Sequence, residues 1–315
     1  MFKILKKEMN LHFLWLMLMF GWIRAGSFVI SYAATPPAIQ IQQDIVAAAQ
    51  NVAQFLILSY DINIEVSFAV LPGTILAESA PSAFCPHWNA TLAPYMLVPA
   101  ALYVQGTGAV NCPSAIGNIH INIAINSVYL DQYNYCPQCR PDMGSFDFVT
   151  VVMHEIIHGL GMATGIDGLG VNGNAPYCAV FDCYIFGNTT FGWPSSFESP
   201  IPSTLTLPAI LTSQSLYFNG TAVHSYFALY SPPIFVGGES IAHTAFPNLM
   251  YYQLSRGITW HTLNFNIVGM LQTFGYSTTN CDDADVRCGN CLLHYPCFVT
   301  HSDANLLPWF LNIFF

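Results

Sequence analysis

The sequence predicts an α/β (α+β) fold in which a mixed sheet packs on helices and is followed by a loop-rich, disulfide-bonded C-terminal lobe. Two runs of strictly alternating apolar residues are typical of half-buried strands, and three segments with apolar residues three and four apart are typical of amphipathic helices. All ten cysteines follow residue 84. With 315 residues, 53% of them hydrophobic, the chain can bury a sizeable core.

Residues 1–34 are predicted to be a signal peptide. Three lysines near the N-terminus precede an apolar run over 11–23, and small residues follow at 25–27 and at 33–34. This layout is typical of a secretory leader, and the run is short for a transmembrane helix. The same pattern leaves an uncleaved membrane anchor as the alternative.

The chain after this segment is acidic and nearly free of cations. All lysines lie in the segment, so three arginines remain against sixteen acidic residues, a formal net charge of −13. Because phosphate binding needs clustered cations, the composition argues against a nucleic-acid or anionic-membrane partner. N-x-S/T sequons at Asn89, Asn188 and Asn219 predict a glycoprotein if the chain enters a glycosylating lumen.

The cysteine count predicts up to five disulfides in an exported chain, with a pairing that the sequence does not determine. The C-x-x-C pairs Cys136/Cys139 and Cys288/Cys291 have an alternative interpretation as half-sites of a structural zinc ion. The secretory context favours disulfides. The cysteines are Cys85, Cys112, Cys136, Cys139, Cys178, Cys183, Cys281, Cys288, Cys291 and Cys297.

One helix and three strands are predicted in the first 130 residues. Helical spacing covers 39–58, and strict alternation over 61–70 and again over 116–130 predicts two strands. The apolar stretch 96–105 is predicted to be a third strand, confined to a sheet edge because Pro99 has no N–H to donate.

A second helix is predicted after a linker rich in Cys and Pro at 133–144. Ser145 is the expected N-cap and Asp147 belongs to the expected first turn. The helix is expected to end at 159–161, where glycines accept left-handed backbone angles at low cost.

The remainder of the chain divides into three parts. Residues 165–240 are predicted to be a loop-rich insertion with short strands near 205–211 and 221–230. Helical spacing returns over 261–276, and a cysteine-rich tail occupies 281–315.

The second helix carries the sequence MHEIIHGLGM, whose histidines lie one turn apart. His154 and His158 can therefore offer imidazole nitrogens to one tetrahedral cation. Glu155 lies about 100° further round the helix, where it can reach a water on that metal and act as its general base. The alternative is two unrelated helix histidines, but the exported chain and the glycines after His158 favour a zinc site.

A catalytic zinc ion needs a third protein ligand, and the sequence offers several. Thr164 stands where the extended pattern HExxHxxGxxH has a histidine, and a threonine hydroxyl is a poor zinc ligand. Asp167, Glu198 and His243 are the candidates, with His224 as a further one.

HEIIHGLG, followed by ESIAHTAFPNLMYYQ and the helix TLNFNIVGMLQTFGY, resembles the metzincin zinc proteases, most of all the leishmanolysin-like branch. In that branch a long insertion precedes the third histidine, and a methionine turn follows it. The resemblance implies a metzincin-like fold with a catalytic domain over 35–280. It also implies the following roles: His154, His158 and His243 as zinc ligands, Glu155 as general base, Gly161 as the turning glycine and Met250 in the methionine turn.

Two further residues enter through the resemblance. Tyr252 matches the Met-x-Tyr of some metzincins, in which the tyrosine stabilises the oxyanion; the alternative is a packing role. His120 is expected to face solvent or to line the cleft, because metzincins bind an extended peptide along an edge strand.

The sequence thus predicts a secreted or cell-surface zinc metalloendopeptidase that acts on peptides or proteins, with membrane contact only through an uncleaved N-terminal segment. One rival is a catalytically inactive metzincin-fold surface or adhesion protein, which the presence of Glu155 disfavours. The other is a zinc hydrolase with Asp167 as third ligand.

Overall fold

The computed structural model describes residues 25–89, 95–109, 112, 117–166, 174, 177–187, 211–212, 216–220, 222–223, 227–237 and 239–279. The chain divides into a unit that ends at Thr278 and a second unit from Thr279, of which only Thr279 is described. The described part is a mixed α+β structure with several small sheets, as the sequence predicts. Its α-helices are α1 (Ile39–Ala53), α2 (Ala100–Thr107), α3 (Phe148–Gly159) and α4 (Phe265–Phe274).

A four-stranded mixed sheet forms the centre of the first unit. Its strands are β1 (Phe28–Tyr32), β2 (Ile62–Ala69), β3 (Ala77–Pro81) and β6 (Ile121–Asn126), in the order β1-β2-β6-β3. β1, β2 and β6 run parallel, and β3 pairs antiparallel with β6 at the edge. The alternation over 61–70 correctly predicts β2.

The alternating residues of β2 and β6 bury one face of the sheet under α1 and α3. Ile62, Ile64 and Val66 are buried on β2, and the isoleucines of β6 are buried in the same way. β6 is shorter than the predicted run 116–130, because the Asn126 side chain accepts the Val128 N–H and turns the chain into a 3₁₀ helix.

Helix α1 stops five residues before the predicted end at Leu58. Phe55, Leu56 and Leu58 are still buried, so the apolar pattern continues into the turn after the helix. The predicted helix is too long because these apolar residues are buried in a turn and not in the helix.

The prediction of one strand over 96–105 is wrong beyond Pro99. β5 (Met96–Pro99) is followed at once by α2, whose N-cap is Pro99 and whose residues Ala100–Leu102 are buried. β5 is also central, lying between β4 (Phe84–Pro86) and β9 (Cys178–Ala179). Pro99 is tolerated there because the ladder with β9 ends at Leu97.

The described parts of the insertion contain short strands and pack on α4, but only the strand Phe227–Ala228 falls within a predicted one, that near 221–230. β10 (Ile185–Gly187), β11 (Leu216–Phe218) and β12 (Phe227–Ala228) form an antiparallel sheet. The predicted strand near 205–211 lies outside the described residues apart from Leu211. The predicted helix 261–276 is α4, which begins at Phe265 because the Asn264 side chain accepts the Ile267 N–H.

Three disulfides lie in the described part: Cys85–Cys112, Cys136–Cys139 and Cys178–Cys183. The disulfide prediction is confirmed for these cysteines, and Cys136 and Cys139 are not a zinc half-site. The other four cysteines lie outside the described residues. Disulfides of this kind suggest an extracellular or secreted protein.

The predicted signal peptide overlaps the first strand of the central sheet. Residues 1–24 lie outside the described part, while β1 falls inside the predicted signal peptide 1–34. Of the two small-residue stretches, cleavage at 25–27 would leave β1 in the mature chain. Among the described helices, none combines the length and the apolar character that crossing a membrane requires.

Candidate metal centre

Helix α3 brings the first two histidines to the centre of the unit, and Asp147 rather than Ser145 caps it. Asp147 Oδ2 accepts hydrogen bonds from the Thr150 N–H (2.8 Å) and the Thr150 hydroxyl (2.6 Å). Ser145 instead donates to Asp142. The cap lies two residues later than predicted because Phe146–Asp147 is a short strand, β8, paired with β7 (Tyr133–Asn134).

Three histidine rings meet above α3, each oriented by a main-chain carbonyl. A carbonyl oxygen only accepts, so each Nδ1 carries the proton and each Nε2 presents a lone pair. The Nδ1 donors and their acceptors are His154 to Leu249 O (2.7 Å), His158 to Met162 O (2.6 Å) and His243 to Glu239 O (2.7 Å).

The three Nε2 atoms converge on one point. They lie 3.0 Å (His154–His158), 3.1 Å (His154–His243) and 3.2 Å (His158–His243) apart. Tetrahedral coordination with metal–nitrogen bonds of about 2.0–2.1 Å would place such nitrogens about 3.3–3.4 Å apart, close to these distances. The group is buried and could hold a metal ion.

Protonation of the rings does not relieve the repulsion between these lone pairs. Burial lowers the pKa of His154 to about 3 and that of His158 to about 4. Burial, followed by the neighbouring histidines, also holds the pKa of His243 well below its ordinary value. Neutral imidazoles are the form in which histidine ligates metals, so a bound cation fits the site better than protons do.

Glu155 lies on the same helix and is also buried, at 5% exposure. Burial, followed by the charge of Glu78, raises the pKa of its carboxyl to about 8. A cation held by the adjacent histidines would favour the carboxylate form, since it reverses the local charge balance. Its main-chain oxygen accepts a hydrogen bond from the Ser79 hydroxyl on β3 (2.8 Å).

The segment 239–251 carries His243 and also Met250, the residue that the resemblance assigns to a methionine turn. The Asn248 side chain accepts the Met250 N–H (2.7 Å) and the Thr244 hydroxyl (3.1 Å), which closes a compact turn. Met250 is fully buried, and its neighbour Leu249 supplies the carbonyl that orients His154. The turn therefore fixes one ligand directly.

The structure brings His243 to His154 and His158, while Thr164 remains outside the group. The Thr164 hydroxyl accepts the Ile166 N–H at 3.0 Å. Tyr252, the oxyanion candidate, stacks on Tyr230 with ring centroids 3.7 Å apart. The rival ligands Asp167, Glu198 and His224 lie outside the described residues.

The prediction that His120 faces solvent is wrong. It is 2% exposed, and its Nδ1 accepts the Asn63 N–H at 2.9 Å. His120 precedes the first residue of β6, so the alternation of the strand does not determine on which side the His120 side chain lies. It connects β6 to β2 rather than presenting a polar face.

Sequence reasoning missed Asp182, which anchors the chain just after the histidine motif of α3. Asp182 is 3% exposed, and its Oδ2 accepts the Gly165 N–H at 2.8 Å, while Oδ1 has no hydrogen-bond partner within the described structure. Burial raises the pKa of Asp182 to about 7 despite hydrogen bonds from Gly165 and Thr164. A lone aspartate in a loop gives no periodic signal that could have revealed this.

Asp182→Asn is expected to be stabilising at alkaline pH. Between pH 4 and 7 folded Asp182 holds a proton that the unfolded chain, with a pKa near 3.9, has released, so the free energy of unfolding falls as pH rises. The free energy of unfolding of the variant, relative to that of wild type, should increase by on the order of 1–3 kcal/mol between pH 5 and pH 8. Urea unfolding of both proteins at the two pH values measures this, and a pH-independent difference would refute it.

Gly161→Ala is expected to be destabilising. Gly161 follows the motif with φ +124°, where side chains are strained, and an added Cβ would meet Pro99 at 3.0 Å. A loss of about 1–3 kcal/mol in unfolding free energy is expected. Gly237→Ala is the matched control, because an added Cβ there meets no atom within 4 Å. Equal urea midpoints for the two variants would contradict the prediction.

The fold and the site together define an α+β protein with disulfides and a buried three-histidine group able to hold a metal ion. No protein-family model matches the chain. A comparison with curated proteins finds no match either. Its function must therefore be argued from the site itself.

Proposed function

We propose that the protein is an exported zinc-dependent endopeptidase of the metzincin type. The observation that carries the proposal is the convergence of three neutral Nε2 atoms, with the buried Glu155 directly after His154 on the same helix. A three-nitrogen set with distances near 3.1 Å suits tetrahedral zinc. The arrangement also fits the metzincin resemblance residue by residue, with Met250 in a buried turn after His243.

An open coordination position favours catalysis over a structural metal. Structural zinc sites close with four protein ligands, whereas catalytic sites keep one position for water or substrate. In the part of the chain that the structure describes, no fourth His, Cys, Asp or Glu joins His154, His158 and His243. A bound zinc ion would supply Lewis acidity, which lowers the pKa of a coordinated water to about 7 and polarises a carbonyl.

Glu155 supplies the proton transfers in this proposal. Its carboxylate Oε accepts a proton from the attacking water, holds it in a site from which bulk water is excluded, and donates it to the leaving amine nitrogen. Burial raises the pKa of this carboxyl in the metal-free chain, and a bound cation would counter that shift, so the group would be a carboxylate before the attack and would hold the proton after it.

The edge strand β3 offers a place for an extended substrate. Among the described strands, β3 is the last of its sheet and none of them pairs with the other side of its backbone, and the Ser79 hydroxyl connects it to the main chain of Glu155. A peptide that pairs with such an edge forms main-chain hydrogen bonds without sequence preference. We therefore propose peptides or proteins as substrates.

Reversible removal of the metal tests the proposal. Incubation with 1,10-phenanthroline is expected to reduce hydrolysis of an unstructured protein such as casein by more than about tenfold, because the three histidines alone do not activate water. Stoichiometric zinc should restore hydrolysis after the chelator is removed. Hydrolysis that persists in metal-free protein, or a zinc-loaded protein that cleaves no peptide, would refute the proposal.

A further inference from the structure

One disulfide in the described part differs from the other two in its exposure. Cys136 and Cys139 are bonded, Cys139 is exposed and Cys136 is half-buried. Each of the other two disulfides includes a cysteine that is at most 3% exposed, namely both Cys85 and Cys112 in one and Cys178 in the other. A thiolate must reach a sulfur atom to exchange with it, so accessibility favours Cys136–Cys139.

The surrounding loop does not depend on this disulfide for its path. The bond joins residues only three apart, and the stabilisation that a disulfide gives increases with the length of the loop it closes. The Cys139 N–H donates to Cys136 O (3.1 Å), which holds the turn independently. Further along, Asp142 accepts hydrogen bonds from Gly144 and Ser145. The folded chain should therefore tolerate both the disulfide and the dithiol.

The positive charge of Arg140 also favours thiol–disulfide exchange at this position. Arg140 follows Cys139 directly and is exposed, and it is one of only three arginines after the N-terminal segment. A neighbouring positive charge stabilises a thiolate, which makes a cysteine both a better leaving group and more reactive when reduced.

We propose that Cys136–Cys139 is a thiol-exchange site for a C-x-x-C dithiol oxidoreductase. This inference goes beyond the proposed peptidase activity and does not rest on it. A thiolate of the oxidoreductase attacks Cys139 Sγ, the Cys136–Cys139 bond breaks, and Cys136 leaves as a thiolate. The second thiolate of the oxidoreductase then attacks the mixed disulfide and releases Cys139. Two electrons and two protons pass to this chain, and the oxidoreductase becomes a disulfide.

Trapping the mixed disulfide tests the site. The probe is thioredoxin whose second active-site cysteine is replaced by serine, mixed with the full chain under native conditions. We expect a covalent adduct that mass-spectrometric peptide mapping assigns to Cys139. The double variant Cys136→Ser/Cys139→Ser should form less than about a tenth of the adduct, and the matched control Cys178→Ser/Cys183→Ser should form as much as wild type.

Several outcomes would overturn the proposal. Adducts that form only at other cysteines would do so, as would adduct formation only in step with loss of native circular dichroism. Reduction by glutathione as fast as by wild-type thioredoxin at equal thiol concentration would exclude a dedicated protein partner. An adduct at Cys139 on folded protein, together with faster reduction by thioredoxin than by glutathione, would support the proposal.

Discussion

Replacing His243 with alanine is expected to reduce the zinc content from about one ion per chain to below about 0.1. Only two nitrogen ligands remain in this variant, and removal of one ligand leaves the ion without the protein coordination that a zinc site requires. Elemental analysis of protein purified without chelator measures the content. His154 and His158 should still be held by Leu249 and Met162, so the variant is expected to fold.

The stability of the protein should reveal the same loss. At a zinc concentration of about 100 times the dissociation constant, the free energy of unfolding of wild type should be about 2.7 kcal/mol higher than that of metal-free protein. The same zinc concentration should leave the unfolding free energy of His243→Ala almost unchanged. Thr164→Ala is the control, since Thr164 lies outside the histidine group. Zinc that remains bound in His243→Ala would place the third ligand elsewhere, and an additional Asp167→Ala substitution would then test that rival directly.

Much of the sheet and of the site could be predicted because the pattern in the sequence is local. Alternation in β2 reflects one buried face, and the two motif histidines are only four residues apart on one helix. Where apolar residues are buried on every side of an element, their spacing does not distinguish a strand from a helix. Residues 96–107 illustrate this, since a strand and a helix follow each other within one apolar run.

The rest of the site depends on contacts between distant residues, which no local pattern encodes. His243 lies 89 residues from His154 in sequence, and the residues alone left it as one of several candidates. The carbonyls of Leu249 and Glu239 that orient the rings belong to the main chain, so residue type carries no signal for them. Asp147 as the cap likewise depends on pairing between β7 and β8.

Replacing Glu155 with glutamine is expected to reduce kcat for peptide hydrolysis by roughly 10²–10⁴-fold, the usual contribution of a general base. The amide accepts no proton from water, whereas the histidine nitrogens that hold the metal are unchanged. Zinc content and KM should therefore stay near the wild-type values, because the interaction lost acts on proton transfer rather than on binding. Hydrolysis of a fluorogenic peptide, with zinc measured on the same sample, gives both quantities.

The effect of Glu155→Gln can be separated from a fault in folding because burial already favours the uncharged form of this side chain. A neutral amide of the same size should change the unfolding free energy of metal-free protein by less than about 1 kcal/mol. Glu78→Gln is the matched control, because it removes the neighbouring negative charge from β3 and leaves the base in place. If Glu155→Gln retained wild-type kcat with full zinc, Glu155 would not be the base. If Glu78→Gln lost as much activity, the effect would come from the local charge alone.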